Sequence, residues 1–501
     1  MRELRFDRIA LPPGRLTRVL TLAFLGMSAL IILSWLVTAI AHVDDGYAVD
    51  HVAGTWMALA ASANSGTLYP PLYDGHFFGG TRFMPVPILL QAAAARVSGE
   101  YLVSAKVLSY VLAASLLVLV FVLIRKTRCP APVALMLTST LLVTGTGLSA
   151  GTSVRNDTLP VILQLGAIAL VARSTRRLSV TAAGLLCAIA LLSKLSAVWA
   201  PVAIGLWLVK RDRRALAEFA ASFLAPLAVG FGVFEAVSDG RMAENVFGLA
   251  VTGADRIGSL HDELTRLRLI AKEGLGWLGL LCVFATFGTL RAARRRQLTL
   301  YQVSFVCALP VTGVVLLDPG AFINHLLDLQ VLSVVVVGEV WSRSSLRAGG
   351  LSLLSVAMAA ALLAASAAAY RQNVAIHSDV RALLHRETEP RDRVPRLAGE
   401  VGTGESILSE DPYIPVSRGE RPVVLDPFML WSIARKHPEW RRDLVRRIEN
   451  HEFDKVILFY QPADALLWYR RVHFGAEIIH AIETSYRPAK HVDGYWIYVP
   501  K

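Results

Sequence analysis

The chain has 501 residues, of which 54% are hydrophobic and 18% charged, and its formal net charge is +12. An apolar share above the roughly 45–50% of soluble domains excludes a single water-soluble globule. In a soluble protein this positive charge would point to nucleic acid or an anionic surface; here it falls in clusters between apolar runs, which points to membrane topology and against a nucleic-acid partner.

The first run, Val19 to Ala41, is longer than a signal-peptide core. Ala39 and Ala41 form a small-x-small pair that a cleaved signal would also show, but the many later spans favour an anchor. Apolar length and charged flanks predict further helices at 102–124, 131–150, 158–172, 178–193, 195–209, 216–237, 274–290, 302–317, 325–341 and 350–369. The expected class is therefore a polytopic α-helical membrane protein of about eleven spans, residues 1–369, followed by a small extracytoplasmic α/β domain, residues 370–501.

Basic clusters at Arg2–Arg8, Arg125–Arg128, Arg173–Arg177, Lys210–Arg214, Arg291–Arg296 and Arg343 with Arg347 alternate with stretches poor in Lys and Arg. The positive-inside rule makes the basic set cytoplasmic and the N-terminus internal. Residues 42–101 and 238–273 then become long external loops. The first contains "LYPPLYDGHFFGGTRFMPVP", whose Pro and Gly exclude a continuous span, and then an apolar segment "ILLQAAAARVSG" suited to an interfacial helix. Helix interiors read as nearly free of charge, with Glu235 and Glu339 near ends. Cys129, Cys187, Cys282 and Cys307 have no metal-ligand spacing and read as core or lipid-facing thiols.

From Tyr370 the composition turns soluble. "ESILSEDP", "RPVVLDPFML" and "FDKVILFYQP" read as strands, and "EWRRDLVRRIENHEF" has helical spacing, which suggests a small α/β fold. Glu410, Asp411 and Asp426 read as turn formers.

Three external turns carry chemistry. "HVDDGYAVDH" places Asp44, Asp45 and Asp50 directly after the first span. They suit helix caps and a solvated turn, or a carboxylate held at the membrane edge as general base or metal ligand. His42 and His51 could complete a metal site with them. "SVRNDTLP" offers Arg155 and Asp157, either as a cap with Pro160 in the first turn or, with Lys194, as cations for an anionic head group. "INHLLDL" supplies Asn324, His325 and Asp328, by capping and interhelical bonding or by substrate contact.

In these motifs the chain resembles the GT-C superfamily of polytopic glycosyltransferases, the bacterial group related to protein O-mannosyltransferases and lipid A aminoarabinose transferases. The likeness runs through "DDGYAV", "LYPPLYDG", "RFMPVPILLQAAAARVSG", "SVRNDTLPVILQLGAIAL", "LLSKLSAVWAP" and "INHLLDL", in that order over residues 1–340. It implies inverting sugar transfer, hexosyl or pentosyl, from a polyprenyl-phosphate-linked donor to a hydroxyl of a lipid, glycan or protein, on the outer face of the bacterial plasma membrane. Asp44 is then the general base, Asp45 orients it or the acceptor, and Asp157 is the second external acid. Arg155, Lys194, His325 and Tyr69 would contact substrate, and Asp44 with Asp157 would hold a divalent cation if one is used. Many relatives carry Glu where this chain has Asp45.

The sequence leaves two other classes open. A transporter or flippase places ionisable groups near the membrane midplane, often with inverted repeats, whereas these acids cluster on one side. A non-catalytic sensor or assembly protein would use the outer domain alone.

Overall fold

The computed structural model describes residues 14–250, 260–318, 321–348, 352–385, 397, 399–402 and 404–501. The N-terminal basic cluster and the middle of the second long loop, residues 251–259, lie outside the described residues. In chain order the helices are α1 Arg15–Ala41, α2 His51–Asn64, α3 Pro85–Ser98, α4 Tyr101–Lys126, α5 Ala131–Ser139, α6 Gly145–Thr152, α7 Thr158–Arg173, α8 Arg177–Ser193 and α9 Trp199–Val209. They continue with α10 Arg213–Val237, α11 Arg241–Ala250, α12 Leu260–Gly274, α13 Gly279–Arg294, α14 Leu300–Leu316, α15 Leu327–Ala348, α16 Leu353–Gln372 and α17 Val374–His385.

Every predicted span corresponds to a helix, but not all are long enough to cross alone. Among the described residues six helices are long and apolar enough to span a membrane, or seven if the bent pair α5–α6 counts as one. The helices α7, α8, α9 and α14 are apolar but have only 10–17 residues. Of the eleven expected spans, six or seven thus meet the length of a single crossing helix, and eleven are not confirmed.

The predicted continuous helix at 131–150 is instead bent by 80° between Ala131–Val143 and Gly145–Thr152. Two glycines permit this. A Cβ on Gly147 would lie 1.6 Å from the Leu141 carbonyl oxygen, and one on Gly145 would lie 2.3 Å from that of Glu273. The Thr144 hydroxyl starts the new segment by accepting from Gly147 N at 3.0 Å and is held by Gln330 Nε2 at 2.6 Å. The redirected helix α6 leads straight into Ser153–Arg155.

The segment 42–101 is built of α2 and α3, which pack on each other and on α4. The Ala-rich helix expected there is α3; it buries Ile88, Gln91, Ala92 and Ala95. Helix α17 lies along α1, where Asp379 accepts from the Thr38 hydroxyl at 2.7 Å.

The C-terminal part, expected to lie outside, holds a four-stranded sheet, β1 Ile407–Ser409, β2 Lys455–Leu458, β3 Tyr486–Val492 and β4 Tyr495–Pro500, in the order β1-β2-β4-β3. Strands β1 and β2 are parallel and the other neighbours antiparallel. Asp493 and Gly494, both at positive φ (51° and 87°), make the tight turn of the β3–β4 hairpin. Two of the three expected strands are present. The third, "RPVVLDPFML", is not in the sheet: Val424 forms an isolated parallel bridge with Phe78, and Asp426 then caps the helix Pro427–Lys436. The helix Pro438–Glu449 is as expected.

The bridge fastens the outer domain to the first loop. Arg421 pairs with Asp74 at 2.7 Å, Arg447 donates to the His76 carbonyl at 2.6 Å, and Lys436 donates to the Gly248 carbonyl at 2.8 Å. The closest approach is at Gly54 of α2, where a Cβ would stand 2.2 Å from Asp411 Oδ1 and 2.9 Å from Tyr413 N. Replacing Gly54 by Val is expected to destabilise this docking by about 1–3 kcal/mol through overpacking, read as a lower thermal midpoint of the detergent-solubilised protein. An unchanged midpoint would mean that the two parts are less tightly apposed.

Candidate functional site

The loop after α1 is folded by one cation. Lys106 of α4 is fully buried, and its ammonium donates to the carbonyls of His42 at 2.6 Å, Asp45 at 2.7 Å and Tyr47 at 2.9 Å. Three donors thus meet three acceptors, with the Asp45 carboxylate at 3.5 Å as counter-charge. The sequence reading of charge-free helix interiors overlooked this lysine.

This clamp separates the acid pair. Asp45 is buried, accepting from Tyr47 N at 2.8 Å and bonded to His42 Nδ1 at 2.5 Å. Burial alone would raise its carboxyl pKa, but the His42 bond, the Tyr47 N–H and Lys106 hold it below the ordinary value. Asp44 is exposed and makes no hydrogen bond or ion pair among the described residues. Of the two, Asp44 alone presents its carboxylate to solvent.

His42 bridges Asp45 and, through Nε2 at 2.9 Å, Asp379 of α17. Burial disfavours its charge, but the two carboxylates prevail and push its pKa up to about 9. Both ring nitrogens are therefore engaged within the protein.

The loop ends at Asp50, which does two jobs. Its Oδ1 caps α2 by accepting from Ala53 N at 2.9 Å, and its Oδ2 is ion-paired with Arg155. The cap reading of Asp50 is thus right, and the pair with Arg155 was not foreseen. Asp157 stands at the cap position of α7 but makes no capping bond. It accepts instead from Lys194 Nζ at 2.6 Å and from Asn324 Nδ2 at 3.1 Å to both oxygens. Burial opposes its charge, yet Lys194, His325 and Arg155 hold it well below the usual carboxylate range.

Arg82, which the sequence reading left without a role, belongs to the same group. It is ion-paired with Asp318, its guanidinium lies 4.9 Å from the centre of the Phe428 ring, and it is within electrostatic reach of His325 together with Lys194, Asp157 and Arg155. Its turn is tightly made. Gly80 has φ +88°, a Cβ on Gly79 would meet the Pro71 carbonyl oxygen at 2.1 Å, and Thr81 N donates to Asn245 Oδ1 at 2.9 Å. Arg82, Arg155 and Lys194 thus come from three separate segments to the surroundings of His325, and the last two also to Asp157. Tyr69, by contrast, is fully buried, and its hydroxyl donates to the Phe83 carbonyl at 2.8 Å, supporting the loop.

On the outer-domain side stands a further cluster. Glu410 is no turn former. It is buried and accepts from His473 Nδ1 at 2.6 Å, Tyr469 Oη at 2.7 Å, Trp468 Nε1 at 2.9 Å and Phe459 N at 2.9 Å. Burial raises its pKa, but these donors, His473 foremost, bring it below the ordinary value. The His473 ring meets that of His51 at 4.3 Å, edge to face, and its Nε2 has no hydrogen-bond partner among the described residues. Asp411, bonded to Tyr495 Oη at 2.7 Å and to Tyr413 N at 2.9 Å, has its pKa pushed up to about 7, burial being the main cause.

The donor set does not fit a resident metal. Asp157 has both oxygens occupied by Lys194 and Asn324, His42 has both nitrogens bonded to carboxylates, and no group of three or more His, Cys, Asp or Glu among the described residues is arranged to hold an ion. A divalent cation at the aspartates and histidines considered from sequence is therefore not established.

No protein-family model and no curated protein sequence matches the chain. Solved structures do. ArnT from Cupriavidus metallidurans, bound to undecaprenyl phosphate, superposes with a TM-score of 0.59 at 12% identity, covering 95% of this chain and 97% of that one. The chain thus shares the fold of ArnT over nearly the whole length of both. The Archaeoglobus fulgidus oligosaccharyltransferase in complex with Zn and sulfate gives a TM-score of 0.53 at 11% identity over 91% of this chain and 71% of its own. The same organism's oligosaccharyltransferase AglB, with an inhibitory peptide and a dolichol-phosphate, gives 0.50 at 12% identity over 95% and 74%. Within the GT-C frame, the acids and cations described above occupy the loops that follow α1, α6 and α8 and precede α3 and α15.

The His42 bridge predicts a pH dependence. Its folded-state pKa, about 9, lies above the free value of 6.5, so its contribution to stability is complete below pH 6.5 and is lost as pH rises to about 9. The thermal midpoint of the wild type should fall over that window, and His42→Ala should flatten the fall. An equal slope in both proteins would contradict the bridge.

Proposed function

We propose that the chain is an inverting glycosyltransferase that moves a hexosyl or pentosyl group from a polyprenyl-phosphate-linked donor to an acceptor hydroxyl. The acceptor belongs to a lipid, a glycan or a protein. One observation carries the reading: in a GT-C fold, an exposed carboxylate, Asp44, with no hydrogen bond or ion pair among the described residues, heads a loop whose far end, Asp50, is ion-paired to Arg155, which shares the surroundings of His325 with Lys194 and Arg82. The undecaprenyl phosphate on ArnT and the dolichol-phosphate on AglB support a lipid phosphate as the donor's leaving group.

Asp44 accepts the proton of the acceptor hydroxyl. That oxygen attacks the anomeric carbon from the face opposite the phosphate, the carbon–oxygen bond to phosphate breaks, and polyprenyl phosphate leaves with the bonding pair. Arg155, Lys194 and Arg82 neutralise the departing phosphate, as preorganised cations do for charge that develops in a transition state. Asp45 acts by holding the loop and Asp157 by holding Lys194. His325, amid the cations, contacts the phosphosugar.

The side of the membrane follows from charge. The basic clusters mark the cytoplasmic side, so the site and the domain formed by residues 370–501 face outward, with residues 1–369 as the catalytic membrane part. Water-soluble nucleotide sugars are not available there, which favours a donor carried by lipid. The outer domain roofs the site by docking on α2 and the first loop.

Asp44→Asn should reduce release of free polyprenyl phosphate from a sugar-loaded donor by about 100-fold or more, with an unchanged thermal midpoint because Asp44 makes no hydrogen bond or ion pair among the described residues. Turnover equal to wild type would refute the assignment of the base. Arg155→Gln and Lys194→Gln should each weaken donor handling by roughly tenfold or more in kcat/KM, and a variant series that leaves kcat/KM intact would remove these cations from the phosphate site.

A further inference from the structure

The first turn of α2 meets the C-terminal domain along one face. Gly54 packs against Asp411 and Tyr413, and the Thr55 hydroxyl lies 3.2 Å from the Leu425 carbonyl oxygen. His51 stands three and four residues before them and so belongs to the same face. Gly54 and Thr55 are buried, whereas His51 keeps part of its surface in solvent. It directly follows Asp50, whose carboxylate is ion-paired with Arg155.

Three rings of the C-terminal domain surround the His51 imidazole edge to face: His473 at 4.3 Å, Trp468 at 5.8 Å and Phe459 at 6.3 Å. One buried carboxylate anchors all three, because Glu410 accepts from His473 Nδ1, Trp468 Nε1 and Phe459 N. The enclosure around His51 is therefore set by a single group. Tyr460, which is 51% exposed, extends it outward at 6.2 Å from Trp468.

Inside these aromatic walls two polar groups are left over. The His51 ring makes no hydrogen bond among the described residues. Burial, and His473 after it, push its pKa down to about 3, so the neutral ring offers one N–H and one lone pair. His473 is fully buried, and with Nδ1 engaged by Glu410 its Nε2 has no hydrogen-bond partner among the described residues. Buried polar atoms without partners are rare and costly. A few unmet polar atoms among aromatic rings suit a sugar, whose hydroxyls need donors and acceptors while its C–H faces need apolar surface.

We propose that this enclosure binds the transferred sugar of the lipid-linked donor, with His51 hydrogen-bonding a ring hydroxyl. The inference rests on the reading of Arg155 and Lys194 as the phosphate site. The sugar is bonded directly to that phosphate, so it lies within a ring's breadth of the cations, and His51 is the neighbour of the aspartate paired with Arg155. An acceptor has no such covalent tie to the phosphate. Trp468 and Tyr460 supply apolar surface, a hydroxyl seated at His51 also satisfies His473 Nε2, and Glu410 is a positioning residue that acts through the three walls.

The test compares two ligands on the full-length chain in nanodiscs: bare undecaprenyl phosphate, and undecaprenyl phosphate carrying mannose, glucose or arabinose. At least one loaded lipid should bind the wild type roughly tenfold more tightly than the bare one. His51→Phe, which keeps a ring but no polar atom, should lose that margin while its affinity for bare undecaprenyl phosphate stays at the wild-type value. His51→Gln, which keeps a donor and an acceptor, should retain part of it. If the Phe variant does not fold, His51→Ala, at this partly exposed position, reads the same margin. A merely structural role would weaken both lipids alike. An equal loss for bare and loaded lipid, an undiminished margin in the Phe or Ala variant, or no loaded lipid exceeding the bare one would overturn this inference alone. Failure of the wild type to bind undecaprenyl phosphate at all would overturn the phosphate site and this inference with it.

Discussion

The buried ammonium of Lys106 is the constraint on which the candidate site depends. An unpaired charge in a dry interior is costly, and this one is tolerated because three carbonyls of one loop and the Asp45 carboxylate surround it. To supply those carbonyls, residues 42–47 must curl around the lysine. That curl buries Asp45, leaves Asp44 outward, and brings the chain to Asp50, where α2 begins and Arg155 is met. Loop shape, charge distribution and the separation of roles within the acid pair thus share a single electrostatic cause.

A second consequence concerns how cations of like sign can share a small region. Arg82, Arg155 and Lys194 would repel one another if unpaired, but each has its own carboxylate: Asp318, Asp50 and Asp157. Those acids come from different segments, so the cluster forms only when loops after α1, α6, α8 and α14 are all in place. Anchoring of this kind fixes cation positions before any phosphate arrives, which is what electrostatic preorganisation requires. In the proposed transferase the paired acids are positioning groups, and Asp44 is set apart from them because nothing neutralises it.

How much of this was legible in the sequence varies with the range of the signal. Apolar length located all eleven helical segments, since burial of the backbone in lipid demands long uncharged runs. It did not separate the long helices from α7, α8, α9 and α14, which are short, and it missed that Gly145 and Gly147 let a seemingly continuous run turn through 80°. Asp44, Arg155, Asp157 and Lys194 were readable as acids and bases stranded at the ends of apolar runs. Arg82 and Lys106 were not, although a lysine inside an apolar span is itself a functional signal.

The outer domain shows the same division. Helix Pro438–Glu449 and strands β1 and β2 follow from local pattern, whereas "VVLDP" has strand composition but pairs only through Val424, because Phe78 is its neighbour. The Asp493–Gly494 turn is a strong hairpin signal that the sequence reading passed over. Glu410 and His473, 63 residues apart, carry no local pattern at all, and only the packing of the domain brings them against His51.

The central claim is that a lipid phosphate settles among Arg82, Arg155 and Lys194 on the side displayed by Asp44. A cryo-electron-microscopy map of the chain in a nanodisc with polyprenyl phosphate tests this most directly. Phosphate density is expected in hydrogen-bonding contact with Arg155 and Lys194, with the prenyl chain running into the bilayer. Density for that phosphate at the opposite end of the bundle, or none near the three cations at saturating lipid, would contradict it.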